Sequence, residues 1–194
     1  MIKKKKDIRR EFIIGEAAKL FKQKGYGGTS MRDLAEQVGL DAASMYHYIK
    51  SKDEILQGIC FDIANTYVSQ LTEIENATQS YSQKLKALVR LHIHLMTTKG
   101  PEVSVANNEW KSLSPEALTE FKSLRSQYEK RLAALIEAGA EAGEFQQVNT
   151  SVALFTLLSA IRWVELWWKP DRGITTEELE NSILTILFQG LEKK

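Results

Sequence analysis

Residues 29–52 read TSMRDLAEQVGLDAASMYHYIKSK, and the punctuation of this stretch decides the fold. Thr29 and Ser30 can cap a helix over Met31 to Val38, with Asp33 as the acidic partner of a capping box three residues after Ser30. Gly39 ends that helix. Met31, Leu34, Ala35 and Val38 recur at i, i+3, i+4 and i+7, giving one buried stripe, and Arg32, Glu36 and Gln37 face water. Asp41 caps a second helix in which Met45 and Ile49 look inward, leaving Ala42, Ala43, Ser44, Tyr46, His47 and Tyr48 outside. Two short capped helices around a tight glycine turn have the dimensions of a helix-turn-helix that reads duplex DNA. Ala42 and Ala43 let the second helix enter a major groove by its N-terminus. The hydroxyls of Ser44, Tyr46 and Tyr48 can reach phosphate oxygens, and His47, expected at mid-helix, faces base edges. Arg32 adds a base or phosphate contact, and Thr29 and Ser30 complete the DNA-facing set.

Outward from this pair the chain reads as helix after helix, with no strand-like alternation and no repeat. Asp7 to Lys24 carries apolar residues at Ile8, Phe12, Ala17 or Ala18, and Leu20 or Phe21, and ends at Gly25. Ser51 caps a long connector, Lys52 to about Asn76, with Ile55, Leu56, Ile59, Ile63, Tyr67 and Leu71 on one face. Further helices are expected over Ser82 to Thr98, over Val103 to Leu113, from Ser114-Pro115-Glu116 to about Gly143, from Asn149 to about Lys169, and from Thr175 onward. This predicts an all-α protein with a helix-turn-helix domain over residues 1–52 and a helical ligand-binding and dimerisation domain over residues 53–194.

Charge supports that division. Residues 1–56 hold 12 Lys/Arg against 8 Asp/Glu, and the remainder 14 against 17, so only the N-terminal part suits a polyanion. The single cysteine, Cys60, excludes an internal disulfide and a Cys-rich zinc site, and reads as a small buried apolar residue. No apolar run approaches the ~20 residues of a membrane span, and the basic cluster Lys3 to Lys6 has no apolar segment behind it and is no signal peptide. The expected compartment is the cytoplasm, with no membrane partner.

The run from Ile13 through Leu56 resembles the DNA-binding domain of TetR-type (tetracycline-repressor-like) transcriptional regulators. The resemblance rests on AAKLF, Gly25-Tyr26, TSMRDLA, Gly39-Leu40, Tyr46-His47-Tyr48 and SKDEIL. The chain departs from that family at Ala43, where a glycine or other small residue is common, and at Ile49, where an aromatic is common. The resemblance places Tyr46 and Lys52 against the DNA backbone. It implies a homodimer on a palindromic operator, most simply a repressor released by a ligand. A narrower resemblance begins at Asn107. NEWKSLSPEALTEFKSLRSQYEKRL, IEAGAEAGEF and WWKPDRGIT are similar to the C-terminal domain of TetR-type regulators that respond to acyl-coenzyme A thioesters in lipid catabolism, which implies such a thioester as effector.

Glu109, Trp110, Arg125, Tyr128, Arg131, Arg162 and Trp163 are the polar or amphipathic groups set among apolar stripes there, and are the candidate ligand-binding residues. Arg162 lies in an apolar context and needs an anion, either Glu109 or Glu165 or a ligand phosphate or carboxylate. His92 and His94, two apart on a helix, point about 200 degrees from one another and cannot share a metal. No metal and no cofactor are expected. Val152 to Trp168 and Leu179 to Leu191 are apolar nearly all round, which calls for cover from a second copy; Trp167, Ile183, Leu184 and Leu187 are placed at that interface. No phosphate loop, nucleophile elbow or H-E-x-x-H pair occurs, so an enzyme is not expected. Two alternatives stay open, a helical protein-binding adaptor and a regulator of xenobiotic response that senses a neutral apolar ligand.

Overall fold

A computed structural model describes residues 5–190, and every regular element among them is helical. Lys3 and Lys4 of the basic cluster and Leu191 of the last apolar stripe lie outside the described residues. The order is α1 (Lys5–Lys24), α2 (Met31–Gln37), α3 (Ala42–Tyr46), α4 (Lys52–Asn76), α5 (Tyr81–Thr98), α6 (Gly100–Asn108), a 3-10 turn (Trp110–Ser112) and α7 (Pro115–Glu141). It continues with α8 (Thr150–Arg162), α9 (Val164–Trp167), a second 3-10 turn (Pro170–Arg172) and α10 (Thr176–Gln189). The all-α expectation holds. Spatially the chain forms two units, one of residues 1–65 with 99–123 and one of residues 66–98 with 124–194.

The first unit is built around α1, against which α2 and α6 pack. The buried stripe of α1 is Ile13, Ala17, Leu20 and Phe21, with Ala18 beside it, whereas Ile8 and Phe12 are exposed. The i, i+4, i+7, i+8 series starting at Ile13 therefore decides the inward face, and the Arg9 guanidinium sits 5.1 Å from the centroid of the outward Phe12 ring. Pro101 opens α6, since a proline in a first turn lacks only an N–H that would have no partner there. The expected helix over Val103 to Leu113 accordingly starts at Gly100, stops at Asn108 and passes into the 3-10 turn. Cys60 is buried, and burial pushes its thiol up to about 12, which keeps it an inert apolar side chain.

In the second unit α5 packs against α8, α9 and α10. The helix expected from Asn149 to Lys169 is interrupted at Trp163. The Leu166 N–H bonds the carbonyl of Trp163 only three residues back, so the ladder tightens before the short α9. A second feature explains the IEAGAEAGEF segment. Gly143 takes φ +75° and turns the chain so that the N–H groups of Glu144 and Phe145 both bond the carbonyl of Gly139. The Phe145 ring then lies on Gly139, where a Cβ would overlap the ring and stand 3.0 Å from the Tyr81 Cβ. The Glu144 carboxylate, thrown outward by the same turn, accepts from the backbone N–H groups of Tyr81 (3.1 Å) and Ser82 (2.9 Å) and so caps α5 from 63 residues away.

Two measurements test this joint. Gly139→Ala forces the Phe145 ring aside and should destabilise the protein by about 1–3 kcal/mol, read as a fall in denaturant midpoint without a change of slope. The Ser82 N–H, followed by that of Tyr81, holds the Glu144 carboxyl below its ordinary value of 4.5. A depressed folded-state value means that its stabilisation is complete above the ordinary value and is lost as pH falls through the folded one. Glu144→Gln, which keeps an acceptor but cannot titrate, should therefore flatten the loss of stability in that acid window.

Candidate nucleic-acid interface and effector region

The helix pair forms from local capping. Ser30 is the N-cap of α2, its hydroxyl oxygen accepting the Asp33 N–H at 3.1 Å while the Asp33 carboxylate accepts the Ser30 N–H at 2.8 Å, so both halves of the capping box are present. The Ser30 hydroxyl, which also donates to the Asp33 carboxylate, and then the Ser30 N–H hold the Asp33 carboxyl down at about 2. Gly39, at φ +66°, makes the turn, and Asp41 caps α3 by accepting the Ser44 N–H at 2.8 Å. α3 has only five residues, far fewer than the ~12 an isolated helix needs. It is held by Met45 and Ile49, both fully buried, each contributing roughly 1.5–3 kcal/mol by leaving water.

Arg32, Ala42, Ala43, Tyr46 and His47 lie exposed on this pair, and Ser44 and Tyr48 are half-buried. Three positions differ from expectation. His47 is not at mid-helix: α3 ends at Tyr46, and His47 is its C-cap, its N–H bonding the Ser44 carbonyl in a 3-10 turn. Thr29 neither caps α2 nor faces outward. It is buried, and its hydroxyl donates to the carbonyl of Gly25 at 2.9 Å. Lys52 is a staple: its ammonium donates to the carbonyls of Tyr26 and Thr29, both at 2.8 Å, and sits 4.2 Å from the centroid of the Tyr26 ring.

Several groups that the sequence reading passed over complete the mount. The Tyr26 hydroxyl donates to Asp53, and burial followed by that bond raises the phenol above its ordinary range. Arg10 pairs with Glu54 at 2.8 Å, and the other Glu54 oxygen accepts the Lys50 N–H at 2.8 Å. The Arg9 guanidinium donates to the carbonyl of Val38 at 3.0 Å. The pair is thus tied to α1 on one side and to the first turn of α4 on the other.

The seven candidate effector residues are divided between the two units. Glu109 and Trp110 belong to the first unit, where Trp110 packs on Phe121 with centroids 6.2 Å apart; the other five belong to the second. Arg131 is tied to both oxygens of Glu75 and to the Thr72 hydroxyl. Arg125 is half-buried, while Arg162 and Trp163 are exposed at the end of α8, so the apolar neighbours of Arg162 in sequence do not bury it. Tyr128 is buried, and its hydroxyl lies 2.7 Å from Nε2 of His92, whose ring stacks on Tyr67 at 4.3 Å. No group of three or more potential metal ligands occurs among the described residues.

Of the four residues placed at a subunit interface, Leu184 is buried within its own chain, Ile183 and Leu187 are half-buried and Trp167 is exposed. Also exposed are Val152 (64%) and Phe155 (52%) on α8, Trp163 (63%) at its end, Leu166 (60%) on α9 and Ile186 (50%) on α10. The window Thr150–Trp167 also reaches an 18-residue mean hydropathy of 1.2, so one segment does approach the length and composition of a membrane span, contrary to the sequence reading. It is broken at Trp163.

The family described as tetracyclin repressor-like, C-terminal domain, matches residues 78–191, and the family described as bacterial regulatory proteins, tetR family, matches residues 13–59. In sequence, the HTH-type transcriptional repressor KstR2 of Rhodococcus jostii is 28% identical across 96% of this chain and 92% of its own. Among solved structures, the TetR family transcriptional regulator PfmR from Thermus thermophilus is similar over 93% of this chain and 99% of its own, with 32% identity and a TM-score of 0.82. AibR, solved in complex with isovaleryl coenzyme A and operator DNA, is similar over 93% and 98%, with 27% identity and a TM-score of 0.80. A capped helix-turn-helix mounted on α1 and α4, joined to a helical domain that matches over more than half the chain, makes this protein a member of the TetR family of bacterial regulatory proteins.

Proposed function

We propose that the chain is a cytoplasmic transcriptional repressor that holds a palindromic operator as a homodimer and is released by an amphiphilic small molecule, an acyl-coenzyme A. The observation that carries it is the mounted helix pair, whose outward face offers Arg32, Ala42, Ala43, Tyr46 and His47 on a rigid base. In this reading residues 1–52 bind DNA and residues 53–194 bind ligand and partner. Ser30 and Ser44 contribute through the caps that shape the face, and Tyr46 and Tyr48 through their hydroxyls. His47, at the C-terminal end of α3, reads bases at the edge of the site, and Thr29 and Lys52 act by holding the pair. The effector class is supported by the isovaleryl coenzyme A in the AibR complex. Repression follows if the ligand prefers the geometry that cannot span both half-sites, and a coupling of about 1–3 kcal/mol changes operator affinity roughly 5- to 150-fold. A neutral apolar effector is the second reading, favoured by the engagement of Arg131 with Glu75 and Thr72.

A second copy is proposed as cover for Val152, Phe155, Trp163, Leu166, Trp167 and Ile186, because large apolar side chains of the last three helices stay exposed in the single chain. Ile183 and Leu187 border it.

Three variants separate the roles. Arg32→Ala should weaken binding to all duplexes and reduce the slope of log affinity against log salt by about one. His47→Ala should change the sequences recovered from random duplexes while nonspecific affinity stays close to wild type. Lys52→Ala should lower the melting temperature, with the lost DNA affinity recovered on cooling; an unchanged melting temperature with a flatter salt slope would return Lys52 to the phosphates. For the interface, Phe155→Glu places a charge where burial would leave it unpaired. Light scattering should then report a folded monomer, and a variant that stays dimeric would move the interface elsewhere.

A further inference from the structure

The start of α1 meets the chain on both sides of α3. Ahead of α3, the Arg9 guanidinium donates to the Val38 carbonyl at 3.0 Å; behind it, the Glu54 carboxylate accepts from Arg10 and from the Lys50 N–H, both at 2.8 Å. Arg10 first and the Lys50 N–H second hold the Glu54 carboxyl below its ordinary value of 4.5, and the charge of Lys50 adds to the effect. Lys6 stands one turn before Arg10, about 6 Å along the axis, and Lys6, Arg9 and Arg10 fall within an arc of about 100 degrees that leaves Asp7 and Glu11 outside. Glu54 thus sets one negative charge against the three positive ones of Lys6, Arg10 and Lys50. Arg9 and Arg10 are taken up by the mount. Lys6 and Lys50 are exposed, and neither ammonium is in an ion pair among the described residues.

We infer that Lys6 and Lys50 form a second DNA contact, outside the helix pair, which grips the phosphates flanking the base pairs at the His47 end of α3. The inference rests on the DNA-binding reading above and adds to it a grip that ignores sequence. Lys50 follows His47 by three residues, so its charge lies beyond the edge of the read site. A duplex carries one negative charge per ~1.7 Å of its axis, so a cation held beside the read base pairs meets phosphate whatever the flanking bases are. The phosphate role that Lys52 gives up by holding the carbonyls of Tyr26 and Thr29 passes to Lys50. Lys6 lies ahead of residues 13–59, which the tetR family model matches, so the family likeness does not supply it. Lys3, Lys4 and Lys5 precede it in sequence and add to the local charge. An anionic membrane attracts lysines too, but it needs a broad apolar face beside them. Here only Ile8 and Phe12 are exposed on that part of α1, and the Phe12 ring already carries the Arg9 guanidinium.

The test follows full-length wild type, Lys6→Ala, Lys50→Ala and Lys6→Glu by fluorescence anisotropy over a range of potassium chloride. Two labelled duplexes carry the site that wild type recovers from random sequences, one ending at the last base pair of that site and the other extended by one helical turn on each side. On the long duplex each alanine variant should lower the slope of log affinity against log salt by about one, with base preference unchanged. Shortening the duplex should weaken wild type and leave Lys6→Ala nearly unaffected. Lys6→Glu puts an acid where the α1 dipole favours one, so it should melt no lower than wild type while binding the long duplex more weakly than Lys6→Ala, which separates a lost contact from a lost fold. A wild-type slope in either alanine variant overturns the flanking contact and leaves the helix pair as the whole interface. A wild type that binds no duplex overturns the DNA reading itself and the contact with it. Vesicles of phosphatidylcholine and phosphatidylserine in equal parts that bind wild type but not Lys6→Ala, with the duplex slope unchanged, overturn the contact in favour of a membrane surface.

Discussion

The ammonium of Lys52, gripped by the carbonyls of Tyr26 and Thr29 and seated over the Tyr26 ring, joins the helix pair to the first turn of α4. Much of the first unit depends on that junction. A five-residue helix has no stability of its own, and its register is set by what it is pressed against. Met45 and Ile49 supply the pressure from beneath. Lys52, Tyr26 with Asp53, and Arg10 with Glu54 fix the frame around it. Because the lysine meets neutral carbonyls rather than a carboxylate, its charge is distributed over two dipoles and a π-face, a hold less exposed to salt than a surface ion pair.

What was legible in the sequence is what is local. Ser30 with Asp33, Asp41, Asn149 and Thr175 each bond a backbone N–H within three residues, and all four caps stand where the residue types put them. Inward faces were legible where a stripe repeats, as along Leu34, Ala35 and Val38, and misread where two stripes compete, as at the start of α1, where Ile8 and Phe12 are exposed and Ile13 is buried. The mount was not legible, since its partners stand 23 to 44 residues apart and nothing in a lysine or a tyrosine announces a distant carbonyl or carboxylate. The same limit applies to Arg162. Apolar neighbours along a helix suggest burial, yet the helix can turn those neighbours outward as well.

The two ends of the chain's chemistry differ in character. The outward face of the helix pair is made of side chains left over after the caps and the core have taken theirs, so its exposed members can vary without disturbing the fold. The candidate effector residues are mixed, Tyr128 drawn into the packing and Arg162 and Trp163 exposed. Arg131 is matched inside the protein by Glu75 and Thr72, and Tyr128 by His92.

The cap that Glu144 places on α5 also has a kinetic meaning. A helix start is ordinarily closed by a neighbour, but here the acceptor for the Tyr81 and Ser82 N–H groups arrives from 62 to 63 residues downstream. Closing a loop of that length costs roughly 3–4 kcal/mol of chain entropy, so the contact forms only once α7 has grown and its end has turned over Gly139. Those two amides therefore record late events in folding, and their hydrogen exchange follows the opening of the α5–α7 joint rather than the fraying of a single helix end.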